Sequence, residues 1–295
     1  MELLHLKYFA KIAEYENMTR AAGELHIAQS ALSRVLSGLE KEFGVKLFQR
    51  DGRHLRLNEN GRILLHCSRD VFQRLDDMHK ELSDANDMNN GQTITIVVRV
   101  ASKFLPAIIS GFSQQHENVR IVIIQNADYG NGEKRHWDLL LDAARQKEED
   151  DDTVCVLREE IRLALPKNHP LASRPSIALH EVAEESFLGM QKGSSMNEIV
   201  TYYCQQAGFT PNVILESDNP ATMRGLMRLG LGIAFNPIVT WKEVSEGEIC
   251  LVPISGVDCC RYIHLKLHPG VYHSRAVMAF RAYLIDFFAH LPKLD

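Results

Sequence analysis

One stretch restricts this chain more than any other: residues 19–44, TRAAGELHIAQSALSRVLSGLEKEFG. Thr19 is a good N-cap, and Arg20 to Leu25 read as a short Ala-rich helix. His26 and Ile27 turn the chain. Gln29 to about Phe43 then carries Ala31, Leu32, Val35, Leu36 and Leu39 at helical spacing, as an inward face, and Gly44 stops the helix. Upstream, Leu3, Leu6, Phe9, Ala10 and Ala13 mark one apolar face of a helix from Leu3 to about Tyr15, broken at Asn17 and Met18. Three helices in 44 residues, with a tight turn between the last two, form a helix-turn-helix. The second helix of such a motif is shaped to enter the major groove of DNA.

The outer face of that helix offers Gln29, Ser30, Ser33, Arg34 and Ser37. These side chains can bond base edges or phosphates, and Arg can bond guanine in bidentate fashion. The next segment, VKLFQRDGRHLRL, reads as two short strands, Val45 to Phe48 and His54 to Leu57, around Asp51-Gly52. Arg50, Arg53 and Arg56 crowd this hairpin. A basic hairpin after the helix is a wing suited to phosphate or minor-groove contact, with Arg53 at its tip. Residues 1–58 hold nine Lys/Arg against seven Asp/Glu, in a chain whose formal charge is −5. A mildly basic head on an acidic body fits a nucleic-acid contact confined to the head.

Asn58 can cap a long helix running to about Asn89. Its apolar positions Leu64, Cys67, Val71, Leu75, Met78 and Leu82 follow heptad steps. A single long helix with one apolar seam needs a partner. Self-pairing is the simplest one, and packing on its own domain is the alternative. Residues 86–91 form a hinge, after which strands and helices alternate. Strands are expected at 93–98, 120–125, 154–166, 187–190, 212–216, 233–235, 249–252 and 262–267. Helices are expected at 105–116, 195–207, 221–228 and 274–290. Residues 137–142 fit a strand or a short helix, and the acidic run 148–152 a solvated loop. This alternation predicts an α/β fold with substantial parallel sheet.

Several classes fall away. The charged N-terminus is not a signal peptide, and no stretch has the length and apolarity of a membrane span, so a cytoplasmic protein is expected. The six cysteines form no CxxC pair. They read as reduced, mostly buried thiols, with a redox pair as the sharper alternative. His264 and His268 lie four apart on an expected strand, too far from each other to share a metal. No nucleophile elbow, Walker loop, GxGxxG or metal-ligand set is present, so neither catalytic residues nor a cofactor are expected.

Residues 19–61 closely resemble the DNA-binding domain of LysR-type transcriptional regulators. The likeness runs through Ala21-Ala22, the segment Gln29 to Arg34, Leu39-Glu40, Gly44 to Phe48 and the wing from Arg50 to Arg56. Leu163 to Pro166 with His169 to Ala172, and Gly230 to Ala234 with Pro237, resemble the family's effector-binding region. The resemblance adds Thr19 and Arg20 to the expected DNA-contacting residues. It implies a winged helix-turn-helix at 1–58, a linker and dimerisation helix at 59–89, and a periplasmic-binding-protein-like effector domain at 90–295. Within that domain it implies subdomain I at about 92–158 and 267–295, and subdomain II at about 159–266. Implied partners are promoter DNA, a small-molecule effector, further copies of the chain in a homodimer or homotetramer, and RNA polymerase. Gly38 departs from the family, which usually has a longer residue there.

In open α/β sheets, ligands bind beyond the carboxyl ends of the strands. Candidate effector contacts are therefore Ser102 and Lys103, Asn126 and Asp128, Gly193, Ser194 and Ser195, and Phe235 and Asn236; the family resemblance points to the same positions. Helix N-termini bearing Ser, with Lys103 nearby, favour an anionic metabolite. Each Ser also fits a plain N-cap, and Lys103 a solvated side chain. The other functional reading is a ligand- or redox-sensing protein with little DNA binding.

Overall fold

Three helices converge on Phe9 because each places an apolar side chain there at helical spacing. The computed structural model describes residues 1–51, 54–85, 92–125, 137–241 and 248–291. Helix α1 (Leu3–Tyr15) buries Leu6, Phe9 and Ile12. Leu3, expected to face inward, is half exposed, and Ile12 is buried although the expected face does not include it. Helix α2 (Met18–Glu24) is capped by Asn17, whose side chain accepts the Arg20 N–H at 3.0 Å. Thr19, the expected cap, lies inside the helix, too late in the turn to receive that N–H. Helix α3 (Gln29–Phe43) buries Leu32, Leu36 and Leu39, whereas Ala31 faces outward. Gly44 closes it at φ +69°, a left-handed conformation that glycine adopts at low cost. Each fully buried Phe, Leu or Ile here contributes roughly 1.5–3 kcal/mol.

Strand β1 (Phe48–Asp51) pairs antiparallel with β2 (His54–Leu57) in the register Phe48 to Leu57 and Asp51 to His54. The first wing strand therefore starts at Phe48 rather than Val45. Two carboxylates fasten the wing to the helices. Glu16 accepts the Leu57 N–H at 2.8 Å, and Glu40 accepts the Leu47 N–H at 3.0 Å. Phe48 meets Phe9 edge to face, with ring centroids 5.8 Å apart. Helix α4 (Glu59–Ala85) begins with Asn58 Oδ1 accepting the Gly61 N–H at 2.9 Å. A Cβ on Gly61 would lie 2.2 Å from the Leu47 carbonyl oxygen, so only glycine allows this close approach to the wing. The expected end of α4, at residues 86–89, lies outside the described residues.

The chain divides into two compact units, Met1–Leu82 and Ser83–Asp295. The second contains β3 (Thr93–Val98), α5 (Leu105–Gln115), β4 (Arg120–Ile124), β5 (Leu139–Ala144), β6 (Thr153–Pro166), β7 (Ile177–Ala178) and β8 (Ser186–Met190). It continues with α6 (Ser195–Gln206), β9 (Asn212–Ser217), α7 (Pro220–Arg228), β10 (Ile233–Pro237), β11 (Ile249–Val252), β12 (Ile254–Ser255), β13 (Cys260–Leu267) and α8 (Arg275–Ala289). Residues 137–142 resolve as the approach to β5 and its first four residues, so the strand reading of that segment stands.

One sheet runs β4-β3-β5-β13-β6-β10-β8-β9, with β11 also on β6. It serves two hydrophobic cores. A first lobe gathers Ile94, Ile96, Leu139, Leu141, Ile263 and Leu265 under α5 and α8. A second gathers Leu163, Phe187, Leu188, Ile233 and Phe235 with α6 and α7. Strands run parallel within each lobe (β4, β3 and β5; β9, β8 and β10), while β13 and β6 run antiparallel to their neighbours. Strand β6 belongs to both lobes. Its first half pairs with β13, from Thr153 to Glu160, and its second half with β10 and β11, from Ile161 to Pro166. Strand β13 joins the first lobe from Tyr262, which pairs with Ala144 of β5. Ile263, Leu265 and Leu267 pack in the first core because β13 pairs with β5.

Asp84, on the last turn of α4, is buried in this second unit. Its carboxylate accepts from Gln92 Nε2 at 2.5 Å, from the Tyr272 hydroxyl at 3.0 Å and from the Arg275 N–H at 2.9 Å. The acid thus sits at the start of α8, where a negative charge is favoured.

Candidate functional site

The polar face of α3 is open from end to end. Gln29, Ser30, Ser33, Arg34 and Ser37 are all exposed or half-exposed, as are Thr19 and Arg20 on α2. Thr19 Oγ1 lies 3.4 Å from Gln29 Oε1, which links the two helices at the entry to the face. The Arg20 guanidinium stacks 4.6 Å from the Tyr15 ring centre, an arrangement that holds it at the rim. Arg34 has no ion-pair partner among the described residues. Spacing assigns Ala31 to the core. It instead adds a methyl group to the outer face, suited to a thymine methyl. A side chain at Gly38 would meet nothing within 4 Å. On the wing, Arg56 is exposed and pairs by backbone with Gln49. Arg53 and the side chain of Arg50 lie outside the described residues.

Along α4 the expected seam divides in two. Leu64 packs against the core of the helical head. Val71, Met78 and Leu82 are exposed in the single chain, as is Cys67, and Leu75 is half-buried.

The strand ends of the two lobes meet around Lys103. Its Nζ donates to the Val239 carbonyl oxygen at 2.5 Å, and it also lies 4.8 Å from the Phe104 ring centre. Lys103 therefore straps the first lobe to the second rather than standing solvated. Ser102 is exposed just after Ala101, which takes the left-handed φ of 60° that non-glycine residues seldom adopt. Ser194 is the N-cap of α6, its Oγ accepting the Asn197 N–H at 3.2 Å. It follows Gly193 at φ +86° and precedes half-buried Ser195. Phe235 and Asn236 are buried in the second lobe. Phe235 stacks on Phe187 at 5.8 Å. Asn236 is fully buried, and its Oδ1 has no hydrogen-bond partner among the described residues. Asn126 and Asp128 lie outside the described residues.

Behind this junction lies a feature that no local sequence pattern reveals. Glu159 and Arg261 are 0% and 2% exposed and joined through Arg261 Nε and Glu159 Oε2 at 2.9 Å. Glu159 also accepts from the N–H groups of Val239 and Thr240 and from the Thr240 hydroxyl, and Arg261 donates to Thr240 Oγ1 at 2.7 Å. Each charge is thereby bonded several times, which a buried pair requires. The pair bonds β6 and β13, the strands at the lobe boundary, to residues 239–240 after β10. In the sequence, Glu159 reads only as charge interrupting a strand.

All six cysteines are free. Burial pushes the Cys204 thiol up to about 12 and raises that of Cys259 as well. Protonated, enclosed thiols are poor redox sensors. No group of His, Cys, Asp or Glu among the described residues could hold a metal ion. No helix among them is long and apolar enough to cross a membrane.

Two family profiles cover this architecture. One, the bacterial regulatory helix-turn-helix protein, lysR family, matches residues 3–62, and the other, the LysR substrate binding domain, matches residues 91–289. The chain belongs to the LysR family. It is a LysR-type transcriptional regulator, with a DNA-binding head and an effector-binding domain. The regulator is 30% identical over 293 residues to the HTH-type transcriptional regulator YybE of Bacillus subtilis (strain 168), covering 98% of this chain and 100% of that one. Its fold matches a full-length OxyR variant from Pseudomonas aeruginosa with a TM-score of 0.68 at 20% identity, covering 98% and 95% of the two chains. It also matches full-length CbnR complexed with its target DNA with a TM-score of 0.64 at 16% identity, covering 98% and 100%. The family is one of regulators rather than enzymes.

Proposed function

We propose that this regulator reads promoter DNA with the outer face of α3 and controls that contact through an anionic effector bound between the two lobes. The observation that carries the DNA reading is the open, acid-free run Gln29, Ser30, Ser33, Arg34 and Ser37. Thr19 and Arg20 flank it, and Arg50, Arg53 and Arg56 follow on the wing. CbnR, of the same fold, is known complexed with its target DNA. Two heads, joined by pairing of the α4 seam through Leu64, Val71, Leu75, Met78 and Leu82, would read two half-sites. A homotetramer, contact with RNA polymerase and a cytoplasmic location belong to the same proposal. Domain limits of 1–58, 59–89 and 90–295 go with it.

The proposed effector contacts are Ser102, Lys103, Gly193, Ser194, Ser195, Phe235 and Asn236, and by family resemblance Asn126 and Asp128. An anion at the N-terminus of α6 would compete with the Val239 carbonyl for the Lys103 ammonium, which has three donors to share. Binding would then change how the first lobe is strapped to the second. Electrophoretic mobility shift with promoter fragments tests the DNA contact. Affinity should fall steeply with salt, as phosphate neutralisation requires. A thermal-shift screen tests the effector. Stabilisation by uncharged or cationic compounds alone would defeat the anion assignment.

A further inference from the structure

The second lobe contains a cavity of about 340 Å³. Much of its lining is apolar: Phe187, Met190, Met196, Met223, Phe235 and Trp241 are all buried. Native interiors leave few voids larger than a water molecule, and ligand pockets start at roughly 300 Å³. Three thioethers in the lining, from Met190, Met196 and Met223, make it adaptable in shape and favourable to aromatic or branched apolar groups. The mouth is different. Lys192, just ahead of α6, and Glu216, on β9, both line the cavity and both are exposed. Neither has an ion-pair or hydrogen-bond partner among the described residues. Opposite charges at one mouth do not select an anion or a cation. They suit a head group carrying both signs.

We infer that this cavity is a second ligand site of the regulator, bordering the proposed effector contacts at Phe235 but lying within the second lobe, and that it takes an amino acid with an apolar side chain. The side chain occupies the apolar part, the carboxylate meets Lys192 and the ammonium meets Glu216. Such a site recognises both ends of the head group, so a ligand lacking either end leaves one charge at the mouth unmatched.

Isothermal titration calorimetry on the full-length protein tests this with leucine, methionine and phenylalanine. The single-charge comparisons are 3-phenylpropionate and phenethylamine. Saturable binding of at least one amino acid is expected, with the single-charge compounds about tenfold weaker or more. Val200, on α6, also lines the cavity, so Val200→Trp places an indole in it and should abolish binding. Lys192→Glu, on an exposed residue outside both cores, should weaken it about tenfold or more. No binding of any of the three amino acids at millimolar concentration overturns the inference. So does equal binding of the single-charge compounds, or binding indifferent to both variants, which would put the ligand elsewhere. If Val200→Trp fails to fold, Lys192→Glu decides.

Discussion

The helical head and the effector-binding body treat charge in opposite ways. In the head, Arg34 and Arg56 stand in solvent without ion-pair partners among the described residues. In the body, Arg261 is withdrawn from solvent and matched by Glu159, Thr240 and the sulfur of Met196. A cation left on the surface is available to an external anion, which in the proposed reading is a phosphate or a base edge. A cation fully buried and bonded has its partner already and shapes the protein instead. The residue type is the same, and burial decides the role.

The largest test of this contrast is Glu159→Ala. Removing one partner strands Arg261 in the interior, so equilibrium denaturation of the effector domain should show a loss of about 3–5 kcal/mol. Replacing Glu159 and Arg261 together by methionine should cost less than either single change. A loss below about 1 kcal/mol in Glu159→Ala, the size of an exposed pair, would erase the contrast. Next is Leu75→Asp in the α4 seam. Each chain would give up roughly 1.5–3 kcal/mol of apolar burial, and sedimentation should show monomers. A dimer that persists with DNA binding intact would contradict the seam.

Arg34→Ala should weaken specific DNA binding by roughly 1–3 kcal/mol and relax preference at one base position. Equal loss on specific and random duplexes would reduce Arg34 to a phosphate contact. The smallest effect concerns His264. Burial lowers its pKa below the ordinary 6.5, and its Nε2 accepts the Glu148 N–H at 2.9 Å. The unfolded chain therefore takes up a proton that the native state refuses. This contribution is complete above the ordinary 6.5 and is lost as pH falls below it. His264→Gln should flatten the loss of stability that sets in as pH falls below 6.5, measured by thermal melts. Glu148, held low by its bond to Lys266, loses its contribution only further into acid, below its ordinary 4.5.

Legibility follows the range of the interactions. The recognition helix is readable from spacing alone, because Leu32, Leu36 and Leu39 repeat within one element and Gly44 marks its end. Its neighbours are less so. Thr19 and Asn17 are both acceptable caps, and only the tertiary start of α2 chooses between them. Periodicity places Ala31 inward, yet the helix turns it outward, since an alanine is too small to set the face. The wing register depends on Glu16 and Glu40, which bond to residues 41 and 7 positions away. Glu159 and Arg261 are 102 residues apart, and no local pattern joins them. At the lobe junction, strand ends can be located, but not the use of Lys103. Its Val239 partner is 136 residues distant and offers only a backbone carbonyl, which every residue has.

Strand β6 has a further consequence. It contributes one half to each core, so neither lobe holds a complete sheet without it. Proteolytic excision of either lobe would sever ladder bonds in the other. The body should consequently melt as a single calorimetric transition, with equal van't Hoff and calorimetric enthalpies, rather than as two independent domains.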